Sequence, residues 1–183
     1  MKFEFSALNL NGIVKGLKAA GVLPGLLEHV SEPVQKILQS PYSERWYRGE
    51  LMTELWLKVG ELHGWKKVED INFDVTMNSL GPVVRPVVRV ALALTDASPA
   101  AVFSRMGSLA GTAIRNVEFG WDSKSKTSGA MWLRYPDPVP PEFVEHCWAG
   151  IFRTGSEMVG KPVKVERFEV TREGRQFTFH LSW

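Results

Sequence analysis

The feature that most constrains the fold is a change of hydrophobic period near Ile114. Before it, apolar residues recur three and four apart. After it, they alternate with polar ones. Val117, Phe119 and Trp121 alternate with Asn116, Glu118 and Gly120. Met131, Leu133 and Tyr135 alternate again, and Phe177, Phe179, Leu181 and Trp183 do so to the last residue. A period of two puts successive side chains on opposite faces of a strand, whereas a period of about 3.6 gathers them on one helical stripe. One element cannot satisfy both, so the chain reads as helical first and strand-rich afterwards.

The second half carries one helix among its strands. Phe143, Val144, Cys147, Trp148, Ile151 and Phe152 form a stripe opened by Pro140 and Pro141. Val163, Val165, Phe168 and Val170 make a third strand, and a phase shift near Glu166 predicts a bulge. Glu173-Gly174 predicts the last hairpin turn. In the first half, Asn9 or Asn11 is placed to cap a helix with Ile13, Val14 and Leu17 on its stripe. A short helix is expected over Pro33 to Leu38, and a long one, capped by Ser43, over Glu44 to Leu62. Asp70 to Leu80 reads as one helix, and Pro82 to Leu94, apolar almost all round, as a buried one. Ser98-Pro99 opens another, with Val102, Phe103, Met106 and Leu109 inward. Helices segregated from hairpins specify an α+β fold with a four-stranded antiparallel sheet. With 183 residues, 44% of them hydrophobic and 23% charged, the chain suits a single domain, 1–183. Its parts are a helical lobe, 1–113, and a ββαββ lobe, 114–183.

Charge and cysteine narrow the function classes. Lys and Arg number 22 against 20 Asp and Glu, a net charge of +2, and no basic stripe is present, so nucleic acid is not an expected partner. Cys147 is the only cysteine, which forbids an intrachain disulfide and fits a reducing compartment. No run reaches the roughly 18 apolar residues of a membrane span, and the N-terminus has no signal core. A cytoplasmic protein is the expectation.

No motif specifies catalysis. Gly155-Ser156-Glu157-Met158-Val159-Gly160-Lys161 resembles a phosphate loop, but Pro162 stands where Ser or Thr is needed, and the segment closes a helix instead of opening one. His29, His63, His146 and His180 lack metal-ligand spacing, so no metal site is expected. His146 reads as a solvated imidazole and Cys147 as a buried thiol. Arg85 and Arg89, four apart in an apolar run, point the same way. Such a pair needs acceptors, either carboxylates on neighbouring helices or an acidic ligand group. Seven tryptophans exceed what one compact core accommodates, so some line a cavity or an interface. Trp46, flanked by Arg45 and Arg48, has the character of an interface anchor, with packing against Pro41 and Tyr42 as the alternative.

The order of elements, with Trp148-Ala149-Gly150-Ile151 in the late helix, Gly160-Lys161-Pro162-Val163 into the third strand and Phe177 to Trp183 as the last, resembles a superfamily. It comprises the haem-nitric-oxide-binding domains, the 4-vinyl-reductase-like domains and the vesicle-tethering TRAPP subunits. The helical half, with Ser79-Leu80-Gly81, also resembles a paralogous family of myxobacterial proteins without an assigned function. The resemblance implies an apolar pocket between the lobes, for haem, an acyl chain or another small apolar ligand. The residues assigned to that pocket are Arg85, Arg89, Phe103, Trp132 and Trp148. It also implies pairing through the helical lobes, as a homodimer or with a paralogue, for which Trp46 and Arg48 are the candidate interface residues. Haem-binding members carry a histidine on a helix before the first hairpin and a Tyr-x-Ser-x-Arg motif. Here no histidine lies between His63 and His146, and Trp121-Asp122-Ser123-Lys124-Ser125 keeps only the serine. The expectation is a non-catalytic ligand-sensing or regulatory domain, free of haem and of any other cofactor. The alternatives are an interaction scaffold with a filled core, and an enzyme whose polar residues meet only in three dimensions.

Overall fold

The computed structural model describes residues 2–79 and 98–183. The expected Pro82 to Leu94 helix, with Arg85 and Arg89, lies outside the described residues.

The strand-rich half folds as its alternation demands. Strands β4 (Glu118–Ser125), β5 (Ser128–Arg134), β6 (Lys164–Thr171) and β7 (Gln176–Ser182) form an antiparallel sheet of order β4-β5-β7-β6. Phe119 pairs with Leu133, Leu133 with Phe177, and Phe177 with Val170, so one face of every strand is apolar. The expected bulge is a register shift between Val165 and Arg167. Helix α7 (Pro141–Val159) ends at Gly160, which takes a left-handed cap with φ 66°. Its stripe of Phe143, Val144, Trp148 and Phe152 is buried. This is an α+β architecture with a four-stranded antiparallel sheet, in agreement with the pattern.

The N-terminal region departs from the pattern. Glu4–Ser6 is a strand, β1, and Ser6 caps α1 (Ala7–Ala19) by accepting the Asn9 N–H at 3.2 Å. The cap is therefore neither Asn9 nor Asn11. Helices α2 (Leu23–Leu27) and α3 (Glu32–Gln39) follow, and Glu54 holds the start of α3 by accepting from Ser31 N–H at 2.6 Å and Ser31 Oγ at 2.9 Å. The long helix α4 covers Gly49–His63 and not Glu44 to Leu62, because Trp46–Arg48 forms strand β2 against β1. Ile114–Arg115, strand β3, pairs with the other edge of β1. These three short strands make a second sheet, of order β2-β1-β3, that links the first six residues to the start of the strand-rich half.

Helix α5 (Trp65–Ser79) begins five residues before the expected Asp70, because Gly64 at φ 82° turns the chain directly from α4 into it. It is clamped between helices by glycines. A Cβ on Gly16 would stand 2.8 Å from the Val75 side chain, and one on Gly150 would overlap the Glu69 carbonyl oxygen. Helix α6 (Pro99–Ala110) starts where Ser98-Pro99 places it and packs Phe103 and Met106 inward.

Candidate functional site

The interior between α6, α7 and the core face of the large sheet is built of aromatic rings. Phe103, 1% exposed, lies 5.5 Å from Trp121 on β4, 5.7 Å from Phe152 on α7 and 6.4 Å from the C-terminal Trp183. Phe152 in turn meets Trp148 at 6.0 Å and Phe179 on β7 at 4.9 Å. The centroid spacings and tilted or edge-on angles match favourable aromatic packing. Trp183 is tied down by its N–H to Thr127 O at 3.0 Å and by Nε1–H to Lys126 O at 3.1 Å.

A short polar line borders this interior. Burial pushes the Tyr135 hydroxyl far above its usual range, partly offset by a hydrogen bond from Trp148. Burial likewise pushes the Cys147 thiol well up, against a hydrogen bond with Asn72, whose Nδ2 donates to Val68 O at 2.9 Å. Both groups stay protonated and structural at neutral pH.

The structure links Phe103 and Trp148, each against Phe152, but separates Trp132 from them. Trp132 stands on the other face of the sheet, its ring over Gly120 and the Arg134 guanidinium 5.5 Å above it. The alternation with Met131 and Leu133 already carries that phase. Trp121, Phe152 and Trp183 belong to this interior, although the residues assigned to the pocket from sequence do not include them. Their signal was their place on the apolar phase of β4, α7 and the last strand.

Trp46 lies on β2 rather than on a helix. Arg115 covers its ring at 4.6 Å, so the arginine beside it comes from β3, not from Arg45 or Arg48. Arg48 is exposed and stands 4.0 Å from Glu50. His146 is not solvated. It is half-buried between α5 and α7, its Nδ1 2.8 Å from Glu69 Oε1 and its ring stacked on Trp65 at 4.8 Å.

Two hollows open on the surface elsewhere. A groove of 490 Å³ runs between α4 and the Asp137–Pro140 loop, floored by Phe3, Leu57 and Val139. Its charges are largely satisfied within itself, with Lys2 on Glu50 and Lys58 on Glu61. The Lys2 hydrogen bond holds the Glu50 carboxyl below the usual glutamate range. A cleft of 720 Å³ lies at one end of the large sheet, where Arg134, Arg172 and Arg175 gather.

Helix α6 is the last before the first hairpin of the large sheet, the position at which the resemblance places a haem-ligating histidine. Its inward side chains are Phe103 and Met106, and its Gly107 faces Phe119. It carries no imidazole, and Ser123 to Ser125 are exposed on the far half of β4. The residues present do not fit a histidine-ligated haem. Among the described residues, no group of three His, Cys, Asp or Glu is placed to hold a metal ion. No helix of the described residues is long and apolar enough to cross a membrane.

No family model matches the chain, and no curated protein matches it. Solved structures do. The Fe(II) unliganded H-NOX protein from K. algicida superposes with a TM-score of 0.66 at 10% identity, covering 97% of this chain and 95% of that one. An oxygen-binding H-NOX domain related to soluble guanylate cyclases gives 0.57 at 8% identity, covering 94% and 91%. The I5F mutant of T. tengcongensis H-NOX gives 0.54 at 9% identity, with 94% of each chain covered. Over nearly its whole length, at identities that carry the fold alone, the chain has the fold of the H-NOX domains.

Proposed function

We propose that the chain is a non-catalytic, haem-free regulatory domain of H-NOX-like fold, folded as a single domain of two lobes, 1–113 and 114–183. The observation that carries this is Phe103. On the helix where a haem-binding relative of this fold would present its axial ligand, a fully buried phenyl ring is packed against three other aromatic side chains. An aromatic interior cannot ligate iron, and it transmits shape between α6, α7 and the sheet through packed contacts.

The signal this domain reads is a small apolar or acyl ligand entering beside Phe103 and Trp148, with Arg85 and Arg89 donating to its acidic head group. A scaffold with a filled core is the second reading, favoured by the close ring packing itself. In either case the domain works in the cytoplasm and pairs with a second copy or a paralogue, for which Trp46 is the anchor. Kinship with the myxobacterial family and with the tethering subunits is part of the same proposal.

The test is a haemin titration of the purified protein beside native mass spectrometry of gently purified material. The expected protein is colourless, develops no stoichiometric Soret band, and carries either an apolar adduct or none. A Soret band that survives desalting overturns the proposal. Light scattering of the parent and of Trp46→Ala reads the pairing: the parent runs as a dimer and the variant as a monomer of 20.6 kDa.

A further inference from the structure

The cleft at the end of the large sheet is independent of the aromatic interior and of the haem question. All four strands contribute to it: Asn116 precedes β4, Tyr135 follows β5, Arg172 follows β6 and Arg175 precedes β7. Arg134 is already engaged, 2.9 Å from Glu118 and 3.2 Å from Gln176 Oε1. Arg175 reaches Glu173 only at 3.8 Å, and Arg172 makes no ion pair among the described residues. The cleft thus gathers three guanidinium groups against two carboxylates, Glu118 held by Arg134 and Glu173 reached only loosely by Arg175.

The backbone supplies an independent observation. Three non-glycine residues among those described have left-handed φ: Asn116 at 65°, Arg172 at 52° and Glu173 at 55°. All three line this one cleft. Glycine is the residue that occupies such backbone without a steric penalty, and Gly174 does so in the same loop. The chain nevertheless carries an arginine and a glutamate beside it. Arg172 and Glu173 form the tight turn of the β6–β7 hairpin, where left-handed backbone is the favoured geometry, and Asn116 stands at the entry to β4. The surroundings hold Asn116 directly and the Arg172–Glu173 turn through the two residues that follow it. Tyr135 N–H donates to Arg175 O at 2.8 Å, Val139 N–H to Gly174 O at 3.0 Å, and Asn116 Nδ2 to Lys2 O at 2.8 Å.

We propose that this cleft binds a small phosphate-bearing molecule, its phosphate held by Arg172 and Arg175 and its organic part laid on Val117 and Pro136. The volume, 720 Å³, falls within the range of small-molecule sites. A guanidinium fork matches phosphate oxygens bidentately. Two such forks match a dianion, which a phosphate monoester supplies and a single carboxylate does not.

Calorimetric titration at low salt tests this with three probes: inorganic phosphate, pyrophosphate and adenosine monophosphate. Saturable binding of adenosine monophosphate is expected, lost at least tenfold in Arg172→Gly and in Arg175→Gln. Tighter binding of the nucleotide than of inorganic phosphate assigns an organic phosphate. Equal binding assigns free phosphate at the same two arginines. Arg172→Gly also relieves the left-handed backbone, so its melting temperature rises by a few degrees while binding falls. A purely structural Arg172 would leave binding unchanged. Absence of binding by all three probes at millimolar concentration, or equal affinity in parent and Arg172→Gly, overturns the proposal.

Discussion

Gly150→Ala separates two physical effects by sign. Gly150 lies in the interior of α7, buried where α7 crosses α5. Intrinsic helix propensity favours alanine over glycine there by about 1 kcal/mol. The packing opposes it. An added Cβ would overlap the Glu69 carbonyl oxygen and would stand 3.0 Å from both Asn72 Cβ and Phe73 N. Two of those three atoms are backbone, so no side-chain rotation clears them. Nor can α5 retreat freely, since its far side bears on Gly12 and Gly16 of α1 through Val75 and Ile71. Overpacking of this kind costs typically about 1–3 kcal/mol, and an unyielding obstacle puts the cost at the upper end. Subtracting the propensity gain leaves a net loss of about 2 kcal/mol. For a chain of this size that lowers the melting temperature by roughly 4–8 °C. The assay is urea unfolding followed by tryptophan fluorescence, with thermal unfolding on the same samples. Gly25→Ala is the control, because that helical glycine has nothing within 4 Å of an added Cβ. It shows the propensity gain without the clash and raises stability. A Gly150→Ala variant as stable as its parent, or more so, refutes the close approach of α5 and α7.

Phe103→Ala is expected to lose about 3–5 kcal/mol, the cost of emptying a buried phenyl site. A loss below about 1 kcal/mol by the same urea assay would mean the rings around it are not packed. Cys147 is expected to resist a thiol reagent at pH 8 in the native protein and to react stoichiometrically in guanidinium, since burial pushes its thiol well up. Rapid native labelling would reveal opening of α7 from α5. Burial pushes the Asp70 carboxyl up, but hydrogen bonds from Arg153 and Lys66 outweigh it, and the net effect holds the group below the usual aspartate range. A lowered native value means the stabilisation is present above the unfolded value near pH 4 and fades as pH falls below it. The groups are partly exposed, so the contribution is about 1 kcal/mol or less. Asp70→Asn lowers the urea midpoint at pH 7 and flattens the acid limb; an unchanged acid limb would contradict the pairing.

What the sequence determined by itself was everything with a sustained period. The four strands of the large sheet, the bulge near Glu166, the stripe of α7 and the start of α6 all follow from repeated choices over eight or so residues. Even the outward phase of Trp132 was legible, and placing it in the pocket went against its own alternation. The tertiary structure alone decided the rest. Strands of two and three residues, β1, β2 and β3, are too short to establish a period, and they exist because residues 4–6 meet partners at 46–48 and 114–115. Trp46 left the helical pattern for the same reason. The close approach at Gly150 and the cleft shared by Asn116, Tyr135, Arg172 and Arg175 join residues from different elements. Local periodicity reports which face of an element is apolar. It carries no information about which other element meets that face, because that is set by the closing of long loops around one core.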